Sequence, residues 1–249
     1  MPRFFVEECL DPETTSLTLK GADFHHIRDV LRMKIDDELT VCDGGSNDLL
    51  CRIANFKPDG VELTVITRQA NQTEPVYQAT IYQGLAKGDK METIIQKAVE
   101  LGAASIVPII CRRNVARLDA KDTAKKLLRW NRIAAEAAKQ CGRGRTPIVG
   151  EPLTFKAAVL EAAKADIRLI PWEGERARSL RAELEASTDL SPNPTISVLI
   201  GPEGGFDADE IATALAAGIS PVTLGRRILR TETASGAVLA MMIYRFDDF

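Results

Sequence analysis

The sequence predicts an α/β protein in two parts, a small β-barrel followed by a parallel sheet covered by helices. Three observations carry this. Residues 1–70 hold short strand-like runs broken by Gly turns, as in small barrels. From residue 79 onward, short apolar runs alternate with amphipathic stretches, the pattern of a parallel sheet with crossover helices. Between them, residues 71–78 open with the polar, Pro-containing run Asn71-Gln72-Thr73-Glu74-Pro75, a plausible linker. The expected domains are therefore 1–70 and 79–249.

Composition narrows the class. The 249 residues are 45% hydrophobic and 27% charged, ordinary for a soluble globular protein. No apolar run approaches about 18 residues, so no membrane span is expected, and the N-terminus lacks a signal-peptide core. Five scattered cysteines without a CxxC argue for a reducing, cytoplasmic setting and against a disulfide framework or a zinc site. The only histidines are the adjacent His25 and His26, so no metal is expected. Net charge is −3, yet residues 112–145 alone carry +8 and residues 1–70 carry −5. A basic field within an acidic chain suggests one face for a polyanion, although charge runs are often only solvated.

In the first part, Leu39-Thr40-Val41-Cys42, the turn Asp43-Gly44-Gly45 and Leu49 to Ile53 read as a hairpin. Val61 to Thr67 follows the Pro58-Asp59-Gly60 turn as another strand. A short helix is expected near Phe24 to Leu31, with Phe24, Ile27, Val30 and Leu31 on one face and Asp23 as its cap. In the second part, the strand Ala79 to Leu85 leads through the turn Lys87-Gly88-Asp89-Lys90 into a helix. Its apolar face is Met91, Ile94, Ile95, Ala98 and Val99, and Gly102 closes it. Ile106 to Ile110 is a strand. The longest helix, 123–141, carries the stripe Leu127, Trp130, Ala134, Ala137, Ala138 and Cys141, and Gly142-Arg143-Gly144-Arg145 should end it as a mobile basic loop. Then come a helix near 154–164, the strand Ile167 to Ile170, a helix near 176–186 and a Ser/Pro/Asn linker at 187–194.

The run Ser197-Val198-Leu199-Ile200 stops at Gly201-Pro202-Glu203-Gly204-Gly205, after which Asp207 and Glu210 have capping-box spacing for a helix at 208–217. The strand Pro221 to Leu224, the loop Gly225 to Thr233 and a helix Ala234 to Phe246 complete the chain. Three strand ends thus carry similar loops: Pro171 to Gly174, Gly201 to Gly205, and Gly225 to Thr233. Ligands of open α/β sheets bind beyond the carboxyl ends of strands, so these loops could share one. None is a P-loop or a dinucleotide fingerprint, and no Ser-His-Asp or Cys-His set can be built. A cofactor held by backbone amides and carbonyls fits best.

Gly201-Pro202-Glu203-Gly204-Gly205 and Leu224-Gly225-Arg226-Arg227-Ile228-Leu229-Arg230-Thr231-Glu232-Thr233-Ala234 resemble the SPOUT class of S-adenosylmethionine-dependent RNA methyltransferases. More narrowly, the chain resembles the bacterial RsmE family, which methylates N3 of a uridine in 16S ribosomal RNA of the small subunit. His25-His26 with Val30-Leu31-Arg32, Lys90-Met91-Glu92 with Gln96-Lys97, Glu100-Leu101-Gly102 and Gln140-Cys141-Gly142-Arg143 extend the resemblance over essentially the whole chain. One departure is Asp36, where the family more often has Gly before an acid.

The resemblance implies a PUA-like barrel, a deep trefoil knot in the α/β domain, a homodimer, and S-adenosyl-L-methionine among the three loops. Pro171, Leu199, Ile200, Gly201, Glu203, Gly204, Gly205, Leu224, Gly225, Ile228, Leu229, Thr233 and Ala234 are then the expected cofactor residues. Arg230 and Glu232 share the loop beside the cofactor and are the candidate catalytic pair, unless they form only an ion pair or helix cap. Arg28, Arg32, Arg113, Arg143 and Arg145 are candidates for the RNA surface. His25 either contacts RNA or packs in the barrel. Within the same class, methylation of a ribose 2′-oxygen or of guanine N1 is the alternative; outside it, a non-catalytic RNA-binding or ribosome-assembly protein.

Overall fold

Apolar residues at every second position build the first sheet. In the computed structural model, which describes residues 1–6, 10–44, 47–114, 120–187 and 191–246, its strands are β1 (Arg3–Phe5), β2 (Ser16–Lys20), β3 (Glu38–Cys42), β4 (Asn47–Lys57) and β5 (Gly60–Ala70). They lie in the order β1-β3-β4-β5-β2, with β1 parallel to β3 and the remaining pairs antiparallel. The expected hairpin forms, Leu39 facing Cys51 and Val41 facing Leu49, and these four are fully buried. Its Gly45 falls outside the described residues. The hydrogen-bonded path ends at β1 and β2 without joining them, so the barrel is an open, half-barrel sheet. Register shifts at Leu50/Cys51 and Ile53/Asn55 mark bulges, which bend and twist a strand.

The expected helix after β2 differs in kind. The chain turns through Gly21 (φ +59°) straight into α1 (Gly21–His25), so Asp23 lies inside the first turn rather than capping it. A π-helical turn, His26–Val30, comes next, in which the Leu31 amide donates to the His26 carbonyl. The wider turn adds a residue to the ring and rotates the end of the helix off the buried face. Phe24 and Ile27 are therefore buried, while Val30 and Leu31 are exposed.

The second sheet is parallel throughout. Its strands are β6 (Gln78–Gly84), β7 (Ser105–Ile110), β8 (Ile148–Val149), β9 (Leu153–Thr154), β10 (Ile167–Pro171), β11 (Thr195–Ile200) and β12 (Ser220–Val222). The order is β12-β10-β11-β6-β7-β8, with β9 also on β7. Five of the six residues of β11 are buried, as expected of a central strand. The helices are α2 (Lys90–Glu100), α3 (Ala120–Cys141), α4 (Phe155–Ala162), α5 (Leu180–Ala186), α6 (Ala208–Ala216) and α7 (Thr231–Phe246). The predicted apolar face of α2 is the buried one. In α3, Trp130, Ala134, Ala137 and Ala138 are buried, but Cys141 at the end of the stripe is exposed. Asp207 and Glu210 form the expected capping box of α6. The linker at 187–194 falls partly outside the described residues. Among the described residues, no helix is long and apolar enough to cross a membrane.

The structure divides into two compact units: Met1–Glu74 with Ala138–Thr146, and Pro75–Ala137 with Pro147–Phe249. The stretch after α3 is not the mobile loop its glycines suggest. Arg143 is buried in the first unit and grips Glu74 bidentately, Nε–Oε1 at 2.9 Å and Nη2–Oε2 at 2.6 Å. The Gly144 and Arg145 amides also donate to Glu74 Oε1.

Candidate active site

Because β11, β10 and β12 are parallel neighbours, their carboxyl ends open on one side and their loops meet there. Between these loops lies a cavity of about 990 Å³, at the upper end of the range of cofactor sites. Residues 171–173, 200–206, 223–232 and 234 line it, together with Lys90, Glu175 and Arg176. Every residue expected at the cofactor or at the chemistry is among these except Leu199 and Thr233. Leu199 is fully buried in the core with Tyr82 and Phe206, since neighbouring strand residues face opposite ways. Thr233 is exposed, because α7 starts at Thr231 and not at Ala234.

The early start of α7 brings in a residue that the loop pattern does not single out. Thr231 Oγ1 donates to the Gly201 carbonyl (2.7 Å) and accepts from Gln83 Nε2 (2.8 Å). Gln83 is fully buried at the end of β6, opposite Ile200 of β11. Side chains from β6 and α7 thus fix the carbonyl that opens the glycine loop. Glycines at two points let these segments touch. A Cβ at Gly84 would collide with the Pro202 nitrogen, and one at Gly205 (φ +66°) would lie 2.9 Å from Glu173 Oε1. A polar residue closing the apolar run of β6 was the available signal for Gln83.

Charge in the cavity centres on Lys90. Its Nζ lies 3.2 Å from Glu203 Oε1 and 3.9 Å from Glu232 Oε2. Glu203 Oε1 also accepts the Lys87 amide at 3.0 Å. Partial burial works to raise the Glu203 carboxyl, but the Lys87 amide and the Lys90 ammonium outweigh it and hold it below its ordinary value. Glu232 Oε2 is shielded from solvent and has no hydrogen-bond partner among the described residues. The Arg230–Glu232 ion pair is not formed: Arg230 is exposed, and Glu232 stands by Lys90 instead. The Arg230 carbonyl accepts the Ala234 amide at 2.9 Å and so serves the first turn of α7.

The candidate RNA residues fare differently. Arg113 is exposed and donates to the Gly204 carbonyl at 3.2 Å, beside the cavity. His25 is exposed rather than packed in the sheet, with Nδ1 3.2 Å from Asp29 Oδ2. Arg28 lies over the Phe24 ring and donates to both Asp29 oxygens. The Arg28 hydrogen bond, aided by His25, pulls the Asp29 carboxyl down to about 2. Arg32 is exposed in a left-handed conformation (φ +52°). Arg145 is half-buried with its Nε 3.3 Å from Glu74, while the buried Arg143 offers no surface to a phosphate. Much of the local +8 is answered by acids: Arg112 by Asp207 and Asp209, Arg129 by Glu92, Lys139 by Asp23. Arg117 lies outside the described residues.

A half-barrel sheet joined to a parallel α/β domain with a cavity at its strand ends defines the class as a two-domain α/β protein built to hold a small ligand. Comparison with known proteins makes that class specific. Residues 72–243 match the RNA methyltransferase domain family, and residues 19–66 match the RNA methyltransferase PUA domain. The chain is 32% identical to the Bacillus subtilis ribosomal RNA small subunit methyltransferase E, over 98% of this chain and 97% of that one. It is 31% identical to the crystal structure of a ribosomal RNA small subunit methyltransferase E from Neisseria gonorrhoeae bound to S-adenosyl methionine, with a TM-score of 0.83 over 98% and 97% of the two chains. A methyltransferase structure from Legionella pneumophila, also with bound S-adenosylmethionine, gives 30% identity and a TM-score of 0.83 over 97% and 96%. The chain belongs to the ribosomal RNA small subunit methyltransferase E family.

Proposed function

We propose that this chain transfers a methyl group from S-adenosyl-L-methionine to N3 of a uridine in the 16S ribosomal RNA of the small subunit. The observation that carries the reading is the cavity formed by the loops after β10, β11 and β12, in a chain whose full-length relatives are solved with this cofactor. The residues present fit such a ligand. Ile200, Leu224, Ile228 and Leu229 offer an apolar slot for an adenine, and the glycine backbone offers donors and acceptors at its edge. The carboxylates of Glu203 and Glu232 suit a cation.

When bound, the cofactor supplies a methyl carbon made electrophilic by its sulfonium, so alignment with the nucleophile provides much of the catalysis. Uridine N3 carries a proton and attacks poorly until it leaves. In this reading Glu232 accepts that proton, and Arg230 stabilises the negative charge that spreads to O2 and O4; both residues line the cavity. Of the candidate RNA residues, His25, Arg28, Arg32 and Arg113 are exposed, and the cytoplasm is the expected setting for such a substrate.

The family reading also carries the trefoil knot and the homodimer. The Thr231–Gly201 bond agrees with a C-terminal segment drawn against the glycine loop. Tyr244 and Met241 of α7 leave apolar surface exposed that a second copy could cover. Light scattering should give twice the chain mass.

The deciding experiment is transfer of labelled methyl to small-subunit RNA, naked and assembled, with the product nucleoside identified by mass spectrometry. N3-methyluridine is expected. A methylated ribose or guanine would replace the reading, and no transfer beside intact cofactor binding would favour a non-catalytic RNA-binding protein. Glu232→Gln and Arg230→Ala should bind cofactor and lose at least about tenfold in turnover. Wild-type turnover in both would remove them from the chemistry.

A further inference from the structure

Lys90 opens α2, at the end of a helix where the macrodipole disfavours a cation. Helix electrostatics therefore do not account for it. Lys90 lines the cavity, and its ammonium has three donors. Among the described residues one of these meets an acceptor, Glu203 Oε1 at 3.2 Å. Glu232 Oε2, at 3.9 Å, is within ion-pair range but beyond hydrogen-bonding reach, and it is shielded and has no hydrogen-bond partner among the described residues. The Glu232 side chain is 23% exposed and the residue lines the cavity, while Oε2 itself is shielded, so the accessible part of the side chain lies away from Oε2. The result is a cation with spare donors, held by one carboxylate and standing beside a second that is not fully engaged.

We propose that Lys90 is a catalytic residue, its ammonium donating to a carbonyl oxygen flanking N3 of the target uracil while Glu232 accepts the N3 proton. The inference rests on the uridine-N3 reading and assigns the oxyanion contact within it. In this step the N3–H bond breaks and its electron pair stays on the ring, delocalised onto O2 and O4. The proton forms an O–H bond with the Glu232 carboxylate and later passes to solvent. Lys90 changes no covalent bond. A charged donor at the developing oxyanion is worth most in such a partly desolvated site. Glu203 fixes the ammonium at one side, so its remaining donors stay directed elsewhere at little entropic cost. Arg230 differs in being exposed, without any fixing contact among the described residues.

The test compares wild type with Lys90→Met, Lys90→Ala and Lys90→Arg on reconstituted small subunits containing either uridine or 5-fluorouridine. The fluorine makes N3–H more acidic, so the anion needs less help. Thermal midpoints and calorimetric affinity for S-adenosylmethionine are measured in parallel. Lys90→Met should lose about 100- to 1000-fold in kcat, with cofactor affinity close to that of wild type. The loss should shrink at least about tenfold on the fluorinated substrate, ethylammonium should restore part of the Lys90→Ala activity, and Lys90→Arg should retain more than Lys90→Met. A loss equal on both substrates without amine rescue would make Lys90 structural and overturn the proposal, as would wild-type kcat in Lys90→Met. Both results leave wild type methylating N3. If wild type methylates another atom or nothing, the function reading itself has failed, and this inference with it.

Discussion

Asp36 holds a φ of +74°, and its amide donates to the Ile53 carbonyl at 2.9 Å. That left-handed conformation is one glycine adopts freely and aspartate tolerates at some cost. It gives a physical reason for the Gly that the family resemblance leads one to expect at this turn. Asp36→Gly should therefore be neutral or stabilising by up to about 1 kcal/mol, whereas Asp36→Val should cost roughly 1–2 kcal/mol. Urea titrations of both variants check this, and a more stable Val variant would refute the strain. Asp36 is not among the residues that line the cavity.

Among the elements, the junction of β6, β11 and α7 is the most consequential. Thr231→Val keeps the side chain's shape but removes the hydroxyl, leaving buried Gln83 Nε2 short of a partner and the Gly201 carbonyl without this donor. Unsatisfied buried polar groups cost about 1–3 kcal/mol each. Thr231→Val should lower stability by that order and weaken cofactor affinity, because the released carbonyl opens the glycine loop. Thr231→Ser should behave like wild type in calorimetry and in melting; equal losses in both variants would count against the relay. At α6, Asp207 accepts from the Asp209 amide and from Arg112, and Glu210 accepts in return from the Asp207 amide. Asp207→Ala should cost about 1 kcal/mol in chemical denaturation. An unchanged midpoint would mean that Glu210 alone holds this end.

At the scale of the molecule, Glu74 and Arg143 tie together two segments of one unit that lie far apart in the chain. Residues 138–146 belong with Met1–Glu74 although Pro75–Ala137, a stretch of the other unit, lies between them in the chain. Burial works to raise the Glu74 carboxyl, but the Arg143 hydrogen bonds and charge, with the Arg145 amide, prevail and hold it below its ordinary value. A lowered carboxyl stabilises the fold fully above its unfolded value, about 4.3, and that stability is lost as pH falls through the folded value. Acid should thus destabilise wild type below about pH 4 through this pair, and Glu74→Gln should show less of that dependence. The same variant should be less stable at neutral pH by about 3–5 kcal/mol, since the buried Arg143 loses the carboxylate that grips it. Melting curves from about pH 3 to about pH 7, which bracket the carboxylate range, would reveal a wrong assignment by identical slopes.

The sequence by itself determined the periodic features. The apolar face of α2, the central strand β11, the β3–β4 hairpin and the Asp207–Glu210 cap are local patterns, written within a few residues of one another. The three cavity loops were legible for the same reason, since each comes after an apolar run that ends at glycine or proline. Only the tertiary structure decided what meets across the chain. Lys90 beside Glu203 and Glu232, Gln83 beside Thr231, and Glu74 around Arg143 are pairs separated by 69 to 148 residues, which no local period records. The π-helical turn at His26–Val30 likewise turned Val30 and Leu31 outward, because a single added residue shifts a helical face that α-periodicity alone would have kept.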